Sequence, residues 1–176
     1  MGPAHLSGLL AGRNPKPRAG SVDSQTVRCT PQAGERSVDA GKNTNGRKRH
    51  VLVDTLGLML LVLVTVGSVQ DRDGGRMLLE RARVRFPRLT HLWVDGAYRG
   101  GLVQWVGEVC GWPLEIIKRN TDLKGFVEQP RRWVTFAGVI HPLSSAVRDF
   151  EGRSQTTKFW MYLASIQLLL RRLDPS

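Results

Sequence analysis

A short apolar run limits the folds open to this chain. It spans residues 58–64, inside a mostly apolar stretch from 56 to 69, and it is rich in Val and Leu. The run falls far short of the roughly 20 apolar residues that a membrane helix needs. A Val-rich run of this length, bounded by turn residues, is typical of a strand that is buried on both faces. We therefore expect a central strand of a sheet and no membrane segment.

Two shorter segments before the run also indicate strands. Residues 22–27 read as a first strand, and a connection rich in Gly, Asn and Lys, residues 34–46, leads to a second strand at 50–54. Residues 54–57 supply a turn, after which the apolar run returns as a third strand. The first half of the chain is thus predicted to be a three-stranded antiparallel meander.

Helices and further strands are predicted in the second half. Carboxylates in residues 70–74 suit a helix start, and apolar residues then recur at helical spacing until Pro87. Residues 92–94 read as a strand, Gly111 closes a second helix, and residues 113–118 alternate into a fifth strand.

The last predicted element is an amphipathic helix near the C-terminus. Its apolar residues are expected to pack on the sheet, and they are Phe159, Leu163, Ile166, Leu170 and Leu173. The whole order of elements predicts an RNase H-like α/β domain with a mixed sheet of about five strands, three antiparallel strands first, flanked by helices. We expect residues 1–20 to be a flexible leader and residues 21–173 to form the domain.

Composition narrows the class of partner. The chain carries 26 Lys and Arg against 15 Asp and Glu, a net charge of +11 at pH 7, so polyanions such as DNA or RNA are its natural partners. Cys29 and Cys110 lie far apart without a metal-binding pattern, which favours free thiols in a reducing cytoplasm. The N-terminus lacks the basic start and long apolar core of a secretion signal.

Two aspartates are the best candidates for phosphodiester chemistry. Asp23 lies inside the first predicted strand, and Asp95 directly follows the strand at 92–94. Neighbouring strands could bring the two together, and two-metal phosphoryl transfer needs carboxylates that hold divalent ions. An isolated Asp at the end of a strand is also a common turn or helix cap, so position alone leaves both roles open.

Four motifs in order carry a resemblance to a known family. They are DSQTV at 23–27, GRKRH at 46–50 with DTLG at 54–57, VQDRDG at 69–74, and DGAYRG at 95–100. From about residue 13 to 173 the chain resembles the DDE-type bacterial insertion-sequence transposases. The segment that such proteins often use to recognise transposon ends is largely missing, which indicates a truncated copy.

The resemblance implies a chemistry and a set of partners. Asp23 and Asp95 would be the first two metal-binding catalytic acids, with Mg²⁺ as cofactor and Mn²⁺ as a substitute. The partner would be double-stranded DNA, at transposon ends and target, and the protein would work as a homodimer in the bacterial cytoplasm at the nucleoid. Strand cleavage by water would be followed by transfer to a 3′-hydroxyl.

One departure from the family pattern concerns the third acid. Family members place a Val-Glu-Arg-like step before Thr-Phe-Ala, but here Val134 is followed directly by Thr135. The segment 135–147 also lacks the expected aromatic and Arg-rich character, a pattern that a small deletion with a compensated frameshift would explain. Glu128 and Glu151 are the nearby acids, and both fall outside the matching position. We therefore expect impaired catalysis.

Several side chains are candidates for contact with DNA. Cations could bind phosphates, Tyr98 could touch DNA near the acids, and Trp133 could stack on a base; the cations are Arg47, Lys48, Arg49, Arg99, Arg131 and Arg132. Packing or plain solvation explains many such residues equally well. Two alternatives to an active enzyme stay open: an inactive DNA-binding remnant that inhibits the intact transposase, and a basic structural RNA-binding protein.

Overall fold

A mixed sheet organises the part of the protein that the computed structural model describes, residues 16–117 and 148–173. Its strands are β1 (Ala19–Cys29), β2 (Ser37–Asp39), β3 (Thr44–Asp54), β4 (Met59–Val66), β5 (His91–Val94), β6 (Leu114–Ile116) and β7 (Arg148–Asp149). Its helices are α1 (Asp71–Arg85), the short α2 (Gly101–Trp105) and α3 (Ser154–Leu173). A 3-10 turn, Gly96–Tyr98, connects β5 to α2.

Strand order confirms the RNase H-like prediction. The main strands lie side by side as β4-β3-β1-β5-β6. The pairs β1–β3 and β3–β4 are antiparallel, whereas β1–β5 and β5–β6 are parallel. Two short strands extend the ladder, because β2 pairs with the start of β3 and β7 pairs with the end of β1. The sheet is thus a three-stranded meander with parallel strands added beside β1.

The apolar run forms a buried strand, but its predicted central position is wrong. β4 pairs with β3 and lies at the edge of the main strand order among the described residues. It is nevertheless buried from Met59 to Leu63, because α1 packs on one of its faces and α3 on the other. Apolarity of a strand reports how well its two faces are covered, and it does not report how many neighbours the strand has.

β3 begins earlier than the sequence indicates. The second strand was expected at residues 50–54, but it starts at Thr44 and includes three successive cations, Arg47, Lys48 and Arg49. All three side chains are almost fully buried. Charged residues mask a strand in a hydropathy pattern. Acids and carbonyl groups pair with Arg47 and Lys48 and offset the cost of burying them.

The helices end where the sequence predicts and differ in what they bury. α1 covers the main core through Leu78, Leu79 and Ala82. α2 continues through a π-helical turn, Val106–Cys110, and Gly111 then adopts φ +69°, the left-handed conformation expected of a glycine that closes a helix. No helix in residues 16–117 or 148–173 is both long and apolar enough to cross a bilayer.

α3 forms as predicted but presents the opposite face to the sheet. The expected contact residues Phe159, Leu163, Ile166 and Leu170 are exposed, as is Trp160. The buried stripe is instead Thr157, Met161, Ser165 and Leu169. Two stripes with the same spacing compete on this helix, and a polar contact selects between them: the Thr157 hydroxyl donates to Asp149 Oδ2 at 2.8 Å. That bond and the packing of Met161 against Val62 and Met59 favour the same rotation of α3.

Arg47 holds the segments around the start of α3 together. Its Nη1 donates to the Glu151 carbonyl at 2.7 Å and lies 3.4 Å from Asp149 Oδ2. Nη2 donates to the Gly152 carbonyl at 2.9 Å, and Nε donates to the Glu35 carbonyl at 2.9 Å. One buried guanidinium on β3 therefore contacts three other segments. They are the loop between β1 and β2, strand β7, and the residues between β7 and α3.

We predict that Arg47→Met strongly destabilises the fold. The substitution leaves the buried Asp149 carboxylate and several carbonyl groups without their partner, which should lower the free energy of unfolding by about 3–5 kcal/mol. Urea denaturation measures the change. The matched control is Arg88→Met, since Arg88 is exposed, and it should stay within about 0.5 kcal/mol of the parent. Equal effects of the two substitutions would contradict the anchoring role.

Candidate functional site

The parallel pairing of β1 and β5 brings the two candidate aspartates side by side. Val22 pairs with Val94 at the end of this ladder, and the residues that directly follow this pair in the chain are Asp23, still within β1, and Asp95, just beyond β5. Adjacent strands lie about 4.8 Å apart, so the two backbones are neighbours at this point. We call Asp23 and Asp95 the acid pair. Asp23 is half-buried and Asp95 is exposed.

Backbone donors hold both carboxylates. Asp23 Oδ1 accepts a hydrogen bond from the Ser24 N–H at 2.7 Å. Asp95 Oδ1 accepts from the Ala97 N–H at 2.9 Å and thereby caps the 3-10 turn. Hydrogen bonds of this kind restrict the rotation of a side chain, so the acid pair is oriented before any ligand arrives.

Tyr98 supplies a buried phenol next to the acid pair. Its side chain is 1% exposed, and its ring lies against Gly75, where an added Cβ would come within 2.8 Å of the ring. Burial raises the pKa of Tyr98 well above its usual value, and the negative charge of Asp23 adds to the rise, while a hydrogen bond with Ser24 opposes it. Tyr98 is therefore a neutral hydroxyl at neutral pH.

A buried ion-pair network lies behind Tyr98. Lys48 Nζ is 3.1 Å from Asp39 Oδ2 and 3.0 Å from Asp71 Oδ1. Burial alone would raise the pKa of Asp71, but hydrogen bonds from Ser24 and Lys48 and the charge of Lys48 outweigh it, so the pKa is lowered. The pKa of Asp39 is lowered in the same way, with a hydrogen bond from Thr26 opposing burial. Both carboxylates are thus held ionised.

His50 fills the space between this network and α1. Its Nε2 lies 3.1 Å from Thr65 Oγ1, and its ring occupies the place that a Cβ on Gly74 would take. Burial lowers the pKa of His50 to about 4; the charges of Lys48 and Lys42 lower it further, and Asp71 opposes them. His50 is therefore neutral at physiological pH.

The donor set of the acid pair fits a hard divalent cation in part. Mg²⁺ takes oxygen ligands and is usually held by one or two carboxylates together with substrate phosphates and water. Asp23 and Asp95 supply two such carboxylates. Among residues 16–117 and 148–173, no group of three or more His, Cys, Asp or Glu side chains is arranged to hold a metal ion.

The remaining predicted site residues divide into three groups. Arg47, Lys48, Arg49 and Tyr98 are buried in the described structure, so we leave them out of the surface proposed for DNA. Arg99 is exposed, and its guanidinium lies beside Gly96, next to Asp95. Three candidates for DNA contact lie outside the described residues, together with Glu128 and the segment 135–147; they are Arg131, Arg132 and Trp133.

Glu151 lies away from the acid pair. It follows β7, which pairs with Arg28 and Cys29 of β1, and these residues are five and six positions beyond Asp23. At about 3.3 Å per strand residue that separation is roughly 17–20 Å. The Glu151 backbone is also fixed, since its carbonyl accepts from Arg47 and its N–H donates to Asp149 Oδ1.

Sequence reasoning missed two residues of this site. Asp71 is one of the carboxylates that the sequence places at the helix start, and it also pairs with Lys48 beneath Tyr98. Arg72 was not singled out, yet its Nη1 lies close to Gly100, which has φ +95° at the start of α2. The only available signal was the GRKRH motif, whose cations need buried acids if they lie in a strand.

Comparison with known families adds one match. A family model described as "Transposase DDE domain" matches residues 14–170, a range that contains the acid pair, the network behind it and most of α3. A comparison with curated proteins gives no match.

We predict that His50 makes the fold sensitive to mild acid. A folded-state pKa of about 4 against about 6.5 in the unfolded chain means that its contribution is complete above pH 6.5 and is lost as the pH falls towards 4. The loss between pH 7 and pH 5 should be about 2 kcal/mol of unfolding free energy. Asp39 and Asp71 do not contribute to this loss between pH 7 and pH 5. Their pKa values are lowered from the usual carboxyl value, so the stability they provide is lost only at more acidic pH.

The matching variant is His50→Gln, which keeps a polar group near Thr65. Urea denaturation at pH 7 and pH 5 should show that its unfolding free energy falls by about 2 kcal/mol less than that of the parent. A drop as large as the parent's would assign the acid sensitivity to other groups.

Proposed function

Because this chain belongs to the transposase DDE-domain family, we propose that Asp23 and Asp95 bind Mg²⁺, or Mn²⁺ in its place, and carry DNA strand cleavage and transfer at the ends of an insertion sequence. The observation that carries the proposal is the parallel register of β1 and β5, which makes the two aspartates neighbours. Two carboxylates at adjacent strand positions match what metal-dependent phosphoryl transfer requires.

The bound ions would polarise the phosphoryl oxygens and stabilise the charge that develops during the displacement. The residues of the chain prepare for this. Ser24 and Ala97 backbone groups orient the carboxylates, which reduces the ordering required when DNA binds. Arg99 and Arg72 lie exposed at the rim and would attract the phosphates that flank the scissile bond. Tyr98 stays protonated, because burial and nearby carboxylates raise its pKa.

We propose further that catalysis is impaired in this chain. The sequence passes directly from Val134 to Thr135, where related proteins carry the Glu that completes the acidic triad. A missing oxygen ligand leaves the ions less firmly held, and incomplete metal clamps commonly lose orders of magnitude in rate.

The missing acid favours a second candidate function. A chain that keeps the basic surface and the acid pair but cleaves poorly would act as a DNA-binding remnant, or would join intact subunits in a homodimer and inhibit them. Its net charge of +11 supports DNA binding independently of catalysis.

Metal binding tests the acid pair without relying on activity. We expect Asp23→Asn and Asp95→Asn to weaken Mn²⁺ binding at least about tenfold, since even outer partners of metal ligands usually contribute that much. Titration followed by the electron paramagnetic resonance of free Mn²⁺ measures this. Asp73→Asn is the matched control, because Asp73 is exposed in the first turn of α1. Parent-like binding by both site variants would rule out the assignment.

Strand cleavage separates the two candidate functions. Linear DNA carrying the element's ends, with Mg²⁺ or Mn²⁺, should be cut by an active chain and cut much less by either Asn variant. Retained DNA binding with no cleavage would support the inhibitory remnant instead. Translating the other reading frames between Val134 and Arg148 should reveal the missing Glu, and its absence from every frame would argue against the frameshift.

A further inference from the structure

A groove of about 420 Å³ lies at the far end of β1, beside the hairpin that joins β2 to β3. Arg28, Arg36, Asn43 and Asn45 line it with polar groups, and Cys29 and Val38 add apolar surface. We call it the hairpin groove. No part of the catalytic proposal uses it.

The hairpin groove is cationic. Two arginines line it, and no Asp or Glu lines it among residues 16–117 and 148–173. Across the described ranges, neither Arg28 nor Arg36 forms an ion pair with a carboxylate. Lys42 is exposed in the adjoining turn and adds a third positive charge nearby. Uncompensated cations around a concave surface attract anions more strongly than the same cations on a flat one.

The groups in the groove are held in position. Arg36 Nη1 donates to the carbonyl groups of Ala33 and Pro31, the latter at 2.8 Å, which fixes its guanidinium. The turn that carries Asn43 is tied down by Asp39 Oδ1, which accepts from the Gly41 N–H at 3.0 Å. Asn43 itself has φ +44°, a conformation that Asn tolerates better than most residues. Such preorganisation lowers the entropy cost of binding.

The donors match phosphate oxygens. Guanidinium groups and side-chain amides are among the groups that contact the DNA backbone most often, and these contacts position the protein without reading sequence. Free Cys29 and the Val38 side chain offer no competing charge.

The position of the groove connects it to the acid pair. Cys29 follows Asp23 by six residues on β1, so the two face the same side of the sheet about 20 Å apart. Arg28, five residues after Asp23, leaves the strand on the opposite side and borders the groove at the strand end. That distance equals the rise of about six base pairs at 3.4 Å each. One duplex is long enough to reach both places.

We infer that the hairpin groove binds the phosphodiester backbone of the same DNA duplex whose scissile phosphate is presented to the acid pair. The inference rests on the proposed function. It assigns to Arg28, and to the Asn43 and Asn45 amides, a role in holding the substrate away from the reacting atoms.

Salt-dependent DNA binding by the full chain tests the groove. A 20-base-pair duplex is titrated at 50 to 200 mM salt, and the slope of log Kd against log salt is compared among variants. Arg28→Gln should reduce that slope by about one and weaken binding about three- to tenfold at 100 mM salt. Arg28→Lys should keep the slope, because it retains the charge. Arg88→Gln, an exposed arginine beyond α1, is the matched control and should behave as the parent does.

The outcomes distinguish this inference from the proposed function. Tight DNA binding by the parent with an unchanged slope in Arg28→Gln would contradict DNA binding by the hairpin groove. It would leave the acid-pair assignment intact. A parent chain that binds no duplex would contradict both. Thermal stabilisation by inorganic pyrophosphate that Arg28→Gln abolishes, with DNA affinity unaltered, would show a site for free phosphate and would also overturn the inference.

Discussion

The pairing of β1 on both of its edges is the constraint from which the rest of the structure follows. β3 lies antiparallel along one edge, while β5 and then β7 lie parallel along the other. A strand enclosed in this way must send alternate side chains to opposite faces, so Ser24 points towards α1 and Asp23 towards the face that α3 covers. The register with β5 then leaves no freedom in where Asp95 stands relative to Asp23.

The cations of β3 show how the same alternation separates structural charges from substrate-facing ones. Arg47 turns to the α3 side and is satisfied by Asp149 and by carbonyl groups, whereas Lys48 turns to the α1 side and lies between Asp39 and Asp71. Buried charges of this kind cost desolvation energy that only complete pairing offsets. A basic motif in this sequence therefore contributes to the interior, and the cations available to DNA lie elsewhere on the surface.

The sequence was sufficient for the order of elements because strand and helix periods are local properties. It was also sufficient for the proximity of Asp23 and Asp95, since Asp23 lies within one strand and Asp95 directly follows another, and the fold makes the two strands adjacent. It could not place β4 at the sheet edge, because apolarity records coverage of faces and not neighbours. It selected the wrong face of α3, since the bond between Thr157 and Asp149 joins residues whose partnership no periodicity reveals. The burial of Lys48 could not be predicted, because its partner Asp39 lies in β2, within a segment that the sequence assigns to a connection.

The two glycines at the start of α1 have a consequence for how the molecule tolerates change. Gly74 admits the ring of His50 and Gly75 admits the ring of Tyr98, so the helix backbone rests directly on two aromatic rings. The spacing between helix and sheet is thereby set by ring thickness, with no flexible side chain in between to absorb an error. A single methyl group added at either position would lift the helix, and the displacement would reach the ammonium group of Lys48 and the carboxylates beyond it together. At that point the interior is packed too tightly to accept an added methyl group without moving the helix.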